Sequence, residues 1–435
     1  MLTLKEDTML GDVPDAWDAK PLNRLLSADY PGDWGDERGA QMTRVLRSTN
    51  LTNDGHLDLS DVALRALPAR KVAFLEPKKN DILLERSGGG PGQPVGRVGF
   101  VTADMHRHAF SNFLHLLRPD PNEIEPRFLA WVLYQVNRTG RIVRLEQQTT
   151  QMRNLHFRDY LTMPVPVPPP DEQAAIARIL DAVDTALERA RAAVQRAREL
   201  DHSLLHELLE KGLGPKGTNS GTHPPSWIVR RVDEVAEVGS GVTLGKDVSG
   251  FQSVELPYLR VANVQDGHLD LSTIKTVRVR VDEVENYRLE VGDVLMTEGG
   301  DIDKLGRGTI WEGQIPDCLH QNHIFRIRTN RKLLDPAFYA LVVESDIAKR
   351  YFNRVAKRTT NLASTNKTQV RAFRFPVPPT VKEQQDIVRV MKASKATIAV
   401  LIAKQVALAE LKKSLMHDLL TGRVRVRDVA TVAAL

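Results

Sequence analysis

Hydrophobic side chains recur at alternating steps of four and three residues along a run that contains no glycine or proline. The run reads DEQAAIARILDAVDTALERARAAVQRARELDHSLLHELLEK and occupies residues 171–211. This spacing is typical of the seam of a coiled-coil helix. Prolines precede the run and two acidic residues open it, as a helix N-terminus favours. We therefore predict a long helix over residues 166–211.

The same pattern occurs again near the end of the chain, in residues 376–422. A shift of 211 aligns the tails SLLHELL (203–209) and SLMHDLL (414–420) almost residue by residue. The charged residues Asp201 and Lys412 interrupt the two stripes at the same place. The predicted seam consists of Ile176, Leu180, Val183, Leu187, Val194, Leu204, Leu208, Ile387, Met391, Ile398, Leu401, Leu408, Leu415 and Leu419.

Sequence motifs outside the helices also occur twice, at shifts of 210 to 212. DGHLDLS stands at 54–60 and again at 266–272, and the Pro-x-x-Trp motif at 14–17 returns at 224–227. Fixed-period similarity of this kind indicates a tandem duplication. The predicted segments are a first globular domain (1–165), a central helix (166–211), a flexible linker (212–223), a second globular domain (224–375), a C-terminal helix (376–422) and a tail (423–435).

Short apolar segments bounded by Gly, Asn and Asp predict strands and turns in both globular domains. The predicted strands are Val72–Leu75, Ile82–Leu84, Val98–Val101, Tyr258–Val261, Val277–Val281, Val294–Met296 and Ile324–Ile327. Helical patterns opened by proline cover Pro126–Val136 and Pro336–Phe352. We therefore expect an α+β chain with two mixed α/β domains.

The length of the linker predicts how the two long helices are arranged. About forty helical residues span ~60 Å, whereas twelve extended residues reach at most ~40 Å. The chain therefore cannot run back along the first helix before the second domain begins. We expect the second helix to return antiparallel to the first, giving a coiled-coil rod with pseudo-two-fold symmetry.

Composition and charge limit the class of protein without deciding it. The chain has 42% hydrophobic and 26% charged residues and a net charge of +5. Arg outnumbers Lys by 40 to 20, and Arg suits phosphate and the guanine edge. A GC-rich genome would produce the same excess, so the charge permits nucleic-acid binding without establishing it.

Motifs of catalysis, of metal binding and of membrane insertion are missing from the sequence. There is no phosphate-binding loop with its lysine, no adenine methyltransferase motif and no cysteine cluster, because Cys318 is the single cysteine. We predict no catalytic residues and no metal site. No apolar run reaches membrane-spanning length and the N-terminus is not a signal peptide, so we expect a cytoplasmic protein with no membrane partner.

The sequence resembles a known family at the helix starts and in the overall arrangement. The segments VPVPPPDEQ (165–173) and FPVPPTVKEQQ (375–385), and the leucine-rich helix ends, are similar to those of specificity (S) subunits of type I restriction–modification systems. The resemblance covers nearly the whole chain. It implies that each globular part is a target recognition domain that reads one half of a split DNA sequence.

The same resemblance implies the partners and cofactors. The expected partners are double-stranded DNA, two adenine-methylating (M) subunits docked on the helices, and a translocating restriction (R) subunit. No cofactor is expected in this chain, since S-adenosylmethionine, Mg²⁺ and ATP would be bound by the partner subunits. The chain itself would be a non-catalytic subunit.

Candidate DNA contacts are basic residues in loop-like stretches, with neighbouring amides that can pair with adenine. In the first domain they are Arg44, Arg47, Arg86, Arg107, Gln148, Gln151 and Arg153, and in the second Arg260, Lys304, Arg354, Lys357, Arg358, Asn361, Asn366 and Lys367. For each of these residues a solvated surface position is the alternative. Arg97 and Arg307 recur in both copies and are therefore expected to be structural.

Two other functions are compatible with a duplicated chain of this kind. One is a coiled-coil adaptor whose globular ends bind proteins. The other is a methyltransferase fused to its own DNA reader, against which the missing catalytic motifs already count. Salt-sensitive DNA binding by the isolated protein would argue against the first, and a methyl-transfer assay would decide the second.

Overall fold

The computed structural model describes residues 4–89, 93–148, 152–213, 223–301, 305–359 and 362–426. It divides into two compact units. Unit 1 consists of Met1–Ala190 and Lys404–Leu435, and unit 2 of Arg191–Ala403. Each unit therefore combines one globular part with segments of two long helices. Because the division falls inside those helices, the segment boundaries given above stay predictions.

In unit 1 the globular part contains fourteen strands and three helices within the described residues. The strands are β1 (Leu4–Thr8), β2 (Gly11–Pro14), β3 (Asp18–Pro21), β4 (Leu26–Pro31), β5 (Met42–Leu46), β6 (Ala63–Ala66), β7 (Ile82–Glu85), β8 (Ser87–Gly88), β9 (Val98–Phe100), β10 (His108–Phe110), β11 (Leu114–Pro119), β12 (Glu146–Gln148), β13 (Arg153–Leu155) and β14 (Pro164–Val167). The helices are α1 (Ala69–Leu75), α2 (Pro126–Arg138) and α3 (Phe157–Thr162).

The same kinds of element follow along the rest of the chain. They belong to unit 2, except for the parts of the two long helices up to Ala190 and from Lys404 onward, which belong to unit 1. The first long helix is α4 (Pro170–Lys211), and the strands are β15 (Ile228–Arg231), β16 (Ala236–Ser240), β17 (Ser253–Leu259), β18 (Lys275–Arg280), β19 (Val294–Thr297), β20 (Gly299–Asp301), β21 (Gly308–Ile310), β22 (Leu319–His320), β23 (Ile324–Thr329), β24 (Lys357–Arg358), β25 (Leu362–Ser364) and β26 (Arg374–Val377). The helices are α5 (Val232–Val235), α6 (Val284–Tyr287), α7 (Pro336–Glu344), α8 (Asp346–Val355), α9 (Lys367–Ala372) and the second long helix α10 (Val381–Leu420).

The sheets of the two units repeat one topology. A four-stranded sheet has the order β4-β11-β7-β9 in unit 1 and β16-β23-β19-β21 in unit 2. A three-stranded sheet combines antiparallel and parallel pairs, β10-β5-β6 and β22-β17-β18. A second three-stranded sheet has the orders β12-β13-β8 and β24-β25-β20. The predicted duplication and the mixed α/β fold class are confirmed.

The two long helices run antiparallel to each other. Within unit 1, Glu172 near the start of α4 pairs with Arg425 just beyond α10, and Asp184 pairs with Lys412 twelve residues further along α4. Residue numbers therefore rise along one helix while they fall along the other. Every residue of the predicted seam is buried or partly buried.

Two local predictions were wrong. Val72–Leu75, predicted as a strand, lies in α1, because buried Val72 and Leu75 are three residues apart and share one face of a helical turn. The helix predicted over Pro336–Phe352 is divided at Ser345, whose extended backbone separates α7 from α8. The linker predicted at 212–223 falls mostly on residues 214–222, which lie outside the described part of the chain.

Each unit has a hydrophobic core to which both long helices contribute. In unit 1, Ile176 and Leu180 of α4 and Leu419 and Leu420 of α10 are buried with α2. In unit 2, Leu208 and Leu209 of α4 and Ile387 and Met391 of α10 are buried with α7, among the residues of one cluster. The stability of each globular part therefore depends on helix segments that are distant in sequence.

The repeated motifs at the helix starts meet the repeated tryptophan motifs. The Trp17 indole N–H donates to Glu172 Oε2 at 3.1 Å, and the Trp227 indole N–H donates to Glu383 Oε1 at 2.9 Å. The next residue on each helix is a glutamine. Gln173 accepts a hydrogen bond from the backbone N–H of Glu125, and Gln384 accepts one from that of Asp335, both at 2.7 Å.

The backbone N–H donors of these two bonds lie at the starts of α2 and α7, so the Glu-Gln pair ties each long helix to its globular part. Glu125 and Asp335 are the N-cap residues of those two helices. Within the described residues, no helix is both long enough and apolar enough to cross a membrane.

Replacing Leu180 by alanine should destabilise unit 1. The Leu180 side chain is 0% exposed and lies in the core that α4, α2 and α10 share, so truncation leaves a cavity and removes about 2–5 kcal/mol from the free energy of unfolding. Chemical denaturation monitored by tryptophan fluorescence measures the loss. Arg178→Ala on the exposed face of α4 is the matched control, and an equal loss in both variants would contradict the role of the shared core.

Candidate nucleic-acid interface

The small sheet β12-β13-β8 of unit 1 collects three of the candidate DNA contacts. Arg153 lies on β13, Gln148 ends β12 directly opposite it, and Arg86 immediately precedes β8. Both strand pairings are antiparallel. Gln148 and Arg153 therefore lie at one end of the sheet, whereas Arg86, whose backbone oxygen accepts a hydrogen bond from the N–H of Leu155, lies at the other end. The side chain of Gln148 is outside the described residues.

Both arginines of this sheet have partners inside the unit. Arg153 Nη1 lies 3.2 Å from Glu146 Oε2, and the Arg86 guanidinium lies 5.5 Å from the centre of the Phe157 ring. Both side chains are partly buried. The sheet therefore presents cations that are held in place, although Glu146 offsets part of the positive charge.

In unit 2 the equivalent sheet β24-β25-β20 carries the most accessible cations. Lys357 and Arg358 form β24 and are exposed. Arg358 donates to the backbone oxygen of Asn353 at 2.9 Å, which orients the side chain. Neither residue forms an ion pair with a carboxylate among the described residues, so both charges are available to a phosphate group.

Three more candidates of unit 2 lie close to this sheet in the chain. Arg354 ends α8 just before β24, is exposed, and lies 5.8 Å from the Tyr351 ring. Asn366 caps α9 by accepting from the backbone N–H of Gln369 at 2.9 Å. Lys367 follows it, and partial burial together with Arg371 lowers the pKa of its ammonium group.

Arg44 and Arg107 form a separate group in unit 1. Arg44 is exposed on β5 and lies opposite His108 of β10, while Arg107 directly precedes that strand. Arg107 adopts the left-handed backbone conformation, with φ of 60°, and its N–H donates to Glu76 at 3.1 Å. Both guanidinium groups face away from the core of the unit, since both residues are exposed.

Arg47 and Arg260 have a structural role that the sequence analysis did not foresee. Each precedes a short turn that Asn50 or Asn263 closes by accepting the arginine backbone N–H, at 2.8 and 2.9 Å. Their guanidinium groups donate to backbone oxygens at the end of the DGHLDLS region, of Asp61 and of Thr273. Arg47 and Arg260 occupy matching positions in the two units. They are therefore a recurring pair of arginines, as Arg97 and Arg307 are.

Gln151, Lys304 and Asn361 lie outside the described residues. The candidates that the structure describes, other than Arg47 and Arg260, fall into two groups in unit 1 and one in unit 2. Every candidate stays a prediction as a DNA contact.

A charged cluster joins the globular part of unit 1 to its helices. We define the Asp184 cluster as His56, Asp184, Glu188 and Lys412. Lys412 Nζ lies 2.5 Å from Asp184 Oδ1, and His56 Nε2 lies 2.8 Å from Asp184 Oδ2 and 3.2 Å from Glu188 Oε1. Asp184 and Lys412 are 4% and 5% exposed. His56 belongs to the first DGHLDLS motif, so this motif contacts α4.

The cluster shifts the pKa values of its members in opposite directions. The hydrogen bond to Asp184 raises the pKa of the His56 imidazole, although burial opposes this. Burial would raise the pKa of the Asp184 carboxyl, but hydrogen bonds from His56 and Lys412 lower it below its usual value. His56 is therefore favoured in its charged form and Asp184 in its ionised form.

The ligand atoms of His56, Asp184 and Glu188 converge within 4.8 Å, which is a spacing that could hold a metal ion. The ammonium group of Lys412 already neutralises Asp184 at hydrogen-bonding distance. The geometry is accounted for by a protonated His56 shared between the two carboxylates and by a lysine paired with Asp184.

The sequence contains two signals for this cluster, although neither led to its prediction. Lys412 was recognised as an interruption of the seam, and a charge at a seam position requires a partner on the facing helix. DGHLDLS was recognised as a repeat, and one polar residue of a repeated turn is a natural contact to the repeated helix.

Replacing His56 by glutamine should lower the stability of unit 1 in a pH-dependent manner. The folded-state pKa of His56 is raised above 6.5, so its contribution is fully present below the unfolded pKa and is lost as pH rises through the folded pKa. We expect the free energy of unfolding of wild type to exceed that of His56→Gln by about 1–2 kcal/mol near pH 5.5 and by less above pH 8. Denaturant unfolding at both pH values measures the difference. His268→Gln is the control, and an equal pH dependence in it would contradict the assignment.

Comparison with known proteins agrees with the duplicated architecture. The family model for the type I restriction modification DNA specificity domain matches residues 48–194 and 224–409, which is most of the chain. A specificity subunit of the type I restriction enzyme MjaX of Methanocaldococcus jannaschii is 27% identical over 213 residues. That match covers 48% of this chain and 49% of the relative, so the chain aligns with about half the length of that protein.

Two further proteins are similar over a longer stretch. The EcoKI specificity subunit of Escherichia coli K12 is 23% identical over 397 residues, 87% of this chain and 82% of the relative. A solved chain from a study of complex assembly and conformational transition in a type I restriction–modification system superposes with a TM-score of 0.59 at 15% identity, covering 95% of this chain and 99% of that one. Because the two specificity-domain matches together cover most of the chain, and each includes much of a globular part and a portion of the adjoining long helix, the chain belongs to the family of DNA specificity subunits of type I restriction–modification systems, whose members are non-catalytic.

Proposed function

We propose that the chain selects a bipartite, asymmetric DNA target, each globular part reading one half-site. This proposal rests on the small three-stranded sheet that occurs in both units but has different cationic residues in each. Arg86 and Arg153 accompany it in unit 1, whereas Lys357 and Arg358 form its β24 strand in unit 2. A shared scaffold with unlike side chains fits two readers of unlike sequences.

The contrast between recurring and non-recurring arginines supports this assignment. Arg118 pairs with Asp81 and Arg328 pairs with Asp293 at the same place in the two four-stranded sheets. Those pairs hold the scaffold. The cations of the small sheets do not match between the units, so they are free to follow the DNA sequence that each unit reads.

We propose that two methyltransferase subunits and a restriction subunit associate with this chain. Apolar side chains stay exposed on the long helices within both units, and a partner subunit would remove them from water. Leu200 of α4 and Val400 of α10 are 70% and 69% exposed in unit 2, and Val406 of α10 is 56% exposed in unit 1. S-adenosylmethionine, Mg²⁺ and ATP would be bound by those partners.

Replacing Lys357 and Arg358 together by alanine should weaken binding to target DNA at least about tenfold at moderate salt, because two exposed phosphate-binding cations are lost. The slope of log affinity against log salt should fall by about one unit per residue removed. Fluorescence anisotropy across a salt series measures both values for the intact complex.

The control for that double variant is Arg389→Ala together with Lys382→Ala. These two cations are exposed on α10 and are equal in charge to the pair removed, although each of them forms an ion pair with Asp386. If the control reduces affinity and salt slope as much as the β24 variant does, the cations of β24 are not specific contacts.

Shortening both long helices by one heptad should change the preferred gap between the half-sites. Removing residues 191–197 and the facing 399–405 keeps the apolar seam in phase and shortens the helix pair by ~10 Å, which is about three base pairs of DNA. Methylation by the reconstituted complex of a DNA library with varied gaps measures the preference.

The outcome of the heptad experiment separates the spacer role from a structural one. A shortened chain that methylates with the original gap is not a spacer. Deleting the heptad from α4 alone is the control, because the seam is then out of register and assembly should fail altogether.

A further inference from the structure

The two long helices end in nearly identical tails that are buried in different units. The α4 tail, SLLHELL at 203–209, packs into the core of unit 2 through Leu205, Leu208 and Leu209. The α10 tail, SLMHDLL at 414–420, packs into the core of unit 1 through Met416, Leu419 and Leu420. Hydrophobic burial therefore gives little reason for either core to prefer one tail over the other.

This similarity creates a competing association between two copies of the chain. The α4 tail of one copy could enter unit 1 of a second copy, and the displaced α10 tails could enter the vacated places in unit 2. Such an exchange would bury the same apolar surface in a dimer. Something other than the apolar tail must select the arrangement within one chain.

The residue two positions before each tail differs in charge between the two helices. It is Lys412 on α10 and Asp201 on α4. In unit 1, Lys412 Nζ lies 2.5 Å from Asp184 Oδ1 and 4.8 and 5.0 Å from the ring centres of Trp131 and Tyr134. A buried carboxylate and two aromatic faces make this a site for a cation.

An α4 tail in the same place would put Asp201 against Asp184 and the negative faces of the two rings. Two carboxylates buried side by side are strongly unfavourable, and His56 is already engaged by Asp184 and Glu188. Unit 1 therefore accepts the α10 tail and rejects the α4 tail.

Asp201 forms no ion pair in unit 2 within the described residues. The nearby Lys395 is already paired with Glu344 at 2.6 Å, and burial, with a smaller contribution from the charge of Asp201, raises the pKa of the Glu344 carboxyl. The Oδ1 atom of Asp201 is buried and has no hydrogen-bond partner among the described residues. Unit 2 therefore gives Asp201 no direct partner comparable to the one that Asp184 gives Lys412, and the negative charge of Asp201 is accounted for by its exclusion from unit 1.

We propose that the charges of Asp184, Lys412 and Asp201 determine which helix tail packs into unit 1. The Asp184–Lys412 pair favours the α10 tail of the same chain, and Asp201 prevents the α4 helix of a second copy from taking its place. The residues specify which helices pair rather than adding stability to the pair.

The test is the oligomeric state of the full chain after refolding from denaturant over a series of protein concentrations, measured by sedimentation velocity. Asp201→Lys makes the two tails alike at the selecting position and leaves unit 1 unchanged. We expect wild type to refold as a monomer. Asp201→Lys should form a dimer, with a dimer association constant at least about tenfold higher than that of wild type. Differently tagged copies refolded together should then co-purify.

Two further variants control for charge and for position. Glu199→Lys makes the same change of charge at an exposed position on the same helix and should remain monomeric. Adding Asp184→Lys and Lys412→Asp to Asp201→Lys makes the charges at 412 and 201 unlike again, with both signs reversed relative to wild type. This triple variant should therefore be a monomer.

A folded Asp201→Lys chain that stays monomeric overturns the proposal, as does equal dimerisation of Glu199→Lys. Asp201→Asn provides a second reading in case the lysine is not tolerated, since it removes the repulsion without adding a cation and should raise dimer formation. Loss of folding in both Asp201 variants would show that Asp201 stabilises unit 2, and would also overturn the proposal.

Discussion

The fold depends on one constraint, which is that the core of unit 1 includes residues of α10 and of the segment that follows it. The Arg425 guanidinium donates to Glu172 across 253 residues, and Glu172 in turn accepts the indole N–H of Trp17. Leu419 and Leu420 lie in the same core as Ile176. The first globular part therefore cannot bury its full apolar surface until the second one and α10 have been synthesised. Contacts of such high sequence separation are entropically demanding, so the chain needs strong selection of the correct partners.

Duplication explains which polar residues serve the scaffold. Pairs that recur in both units, such as Trp with Glu at the helix start and Arg with Asp in the four-stranded sheet, lie where the backbone of both copies needs the same support. Residues that differ between the copies at equivalent places are not needed to support the shared backbone fold. By this reasoning the non-recurring cations of β24 have more freedom to contact DNA than Arg47 or Arg260, whose guanidinium groups are held by backbone oxygens.

The sequence predicts the long-range architecture better than the local detail. The helices, their antiparallel pairing and the duplication follow from periodicity, repeats and linker length, which are strong signals spread over many residues. Val72–Leu75 was mistaken for a strand because four residues do not distinguish a period of two from one of 3.6. The break between α7 and α8 at Ser345 could not be predicted in the same way, because no proline or glycine lies there. Contacts between repeated motifs, such as His56 with Asp184, require the three-dimensional structure because the partners are 128 residues apart.

A buried ion pair in a helix seam is a weak source of stability, because removing two charges from water offsets most of their attraction. Leucine at 412 would continue the seam, and leucine at both 184 and 412 would bury more apolar surface. The presence of Asp184 and Lys412, with Asp201 at the equivalent place on α4, therefore calls for an explanation other than stability. Duplication supplies one, because two copies of a helix that pair with each other can also pair with themselves. Opposite charges at one seam position distinguish the copies while leaving the apolar tails, on which both cores depend, unchanged.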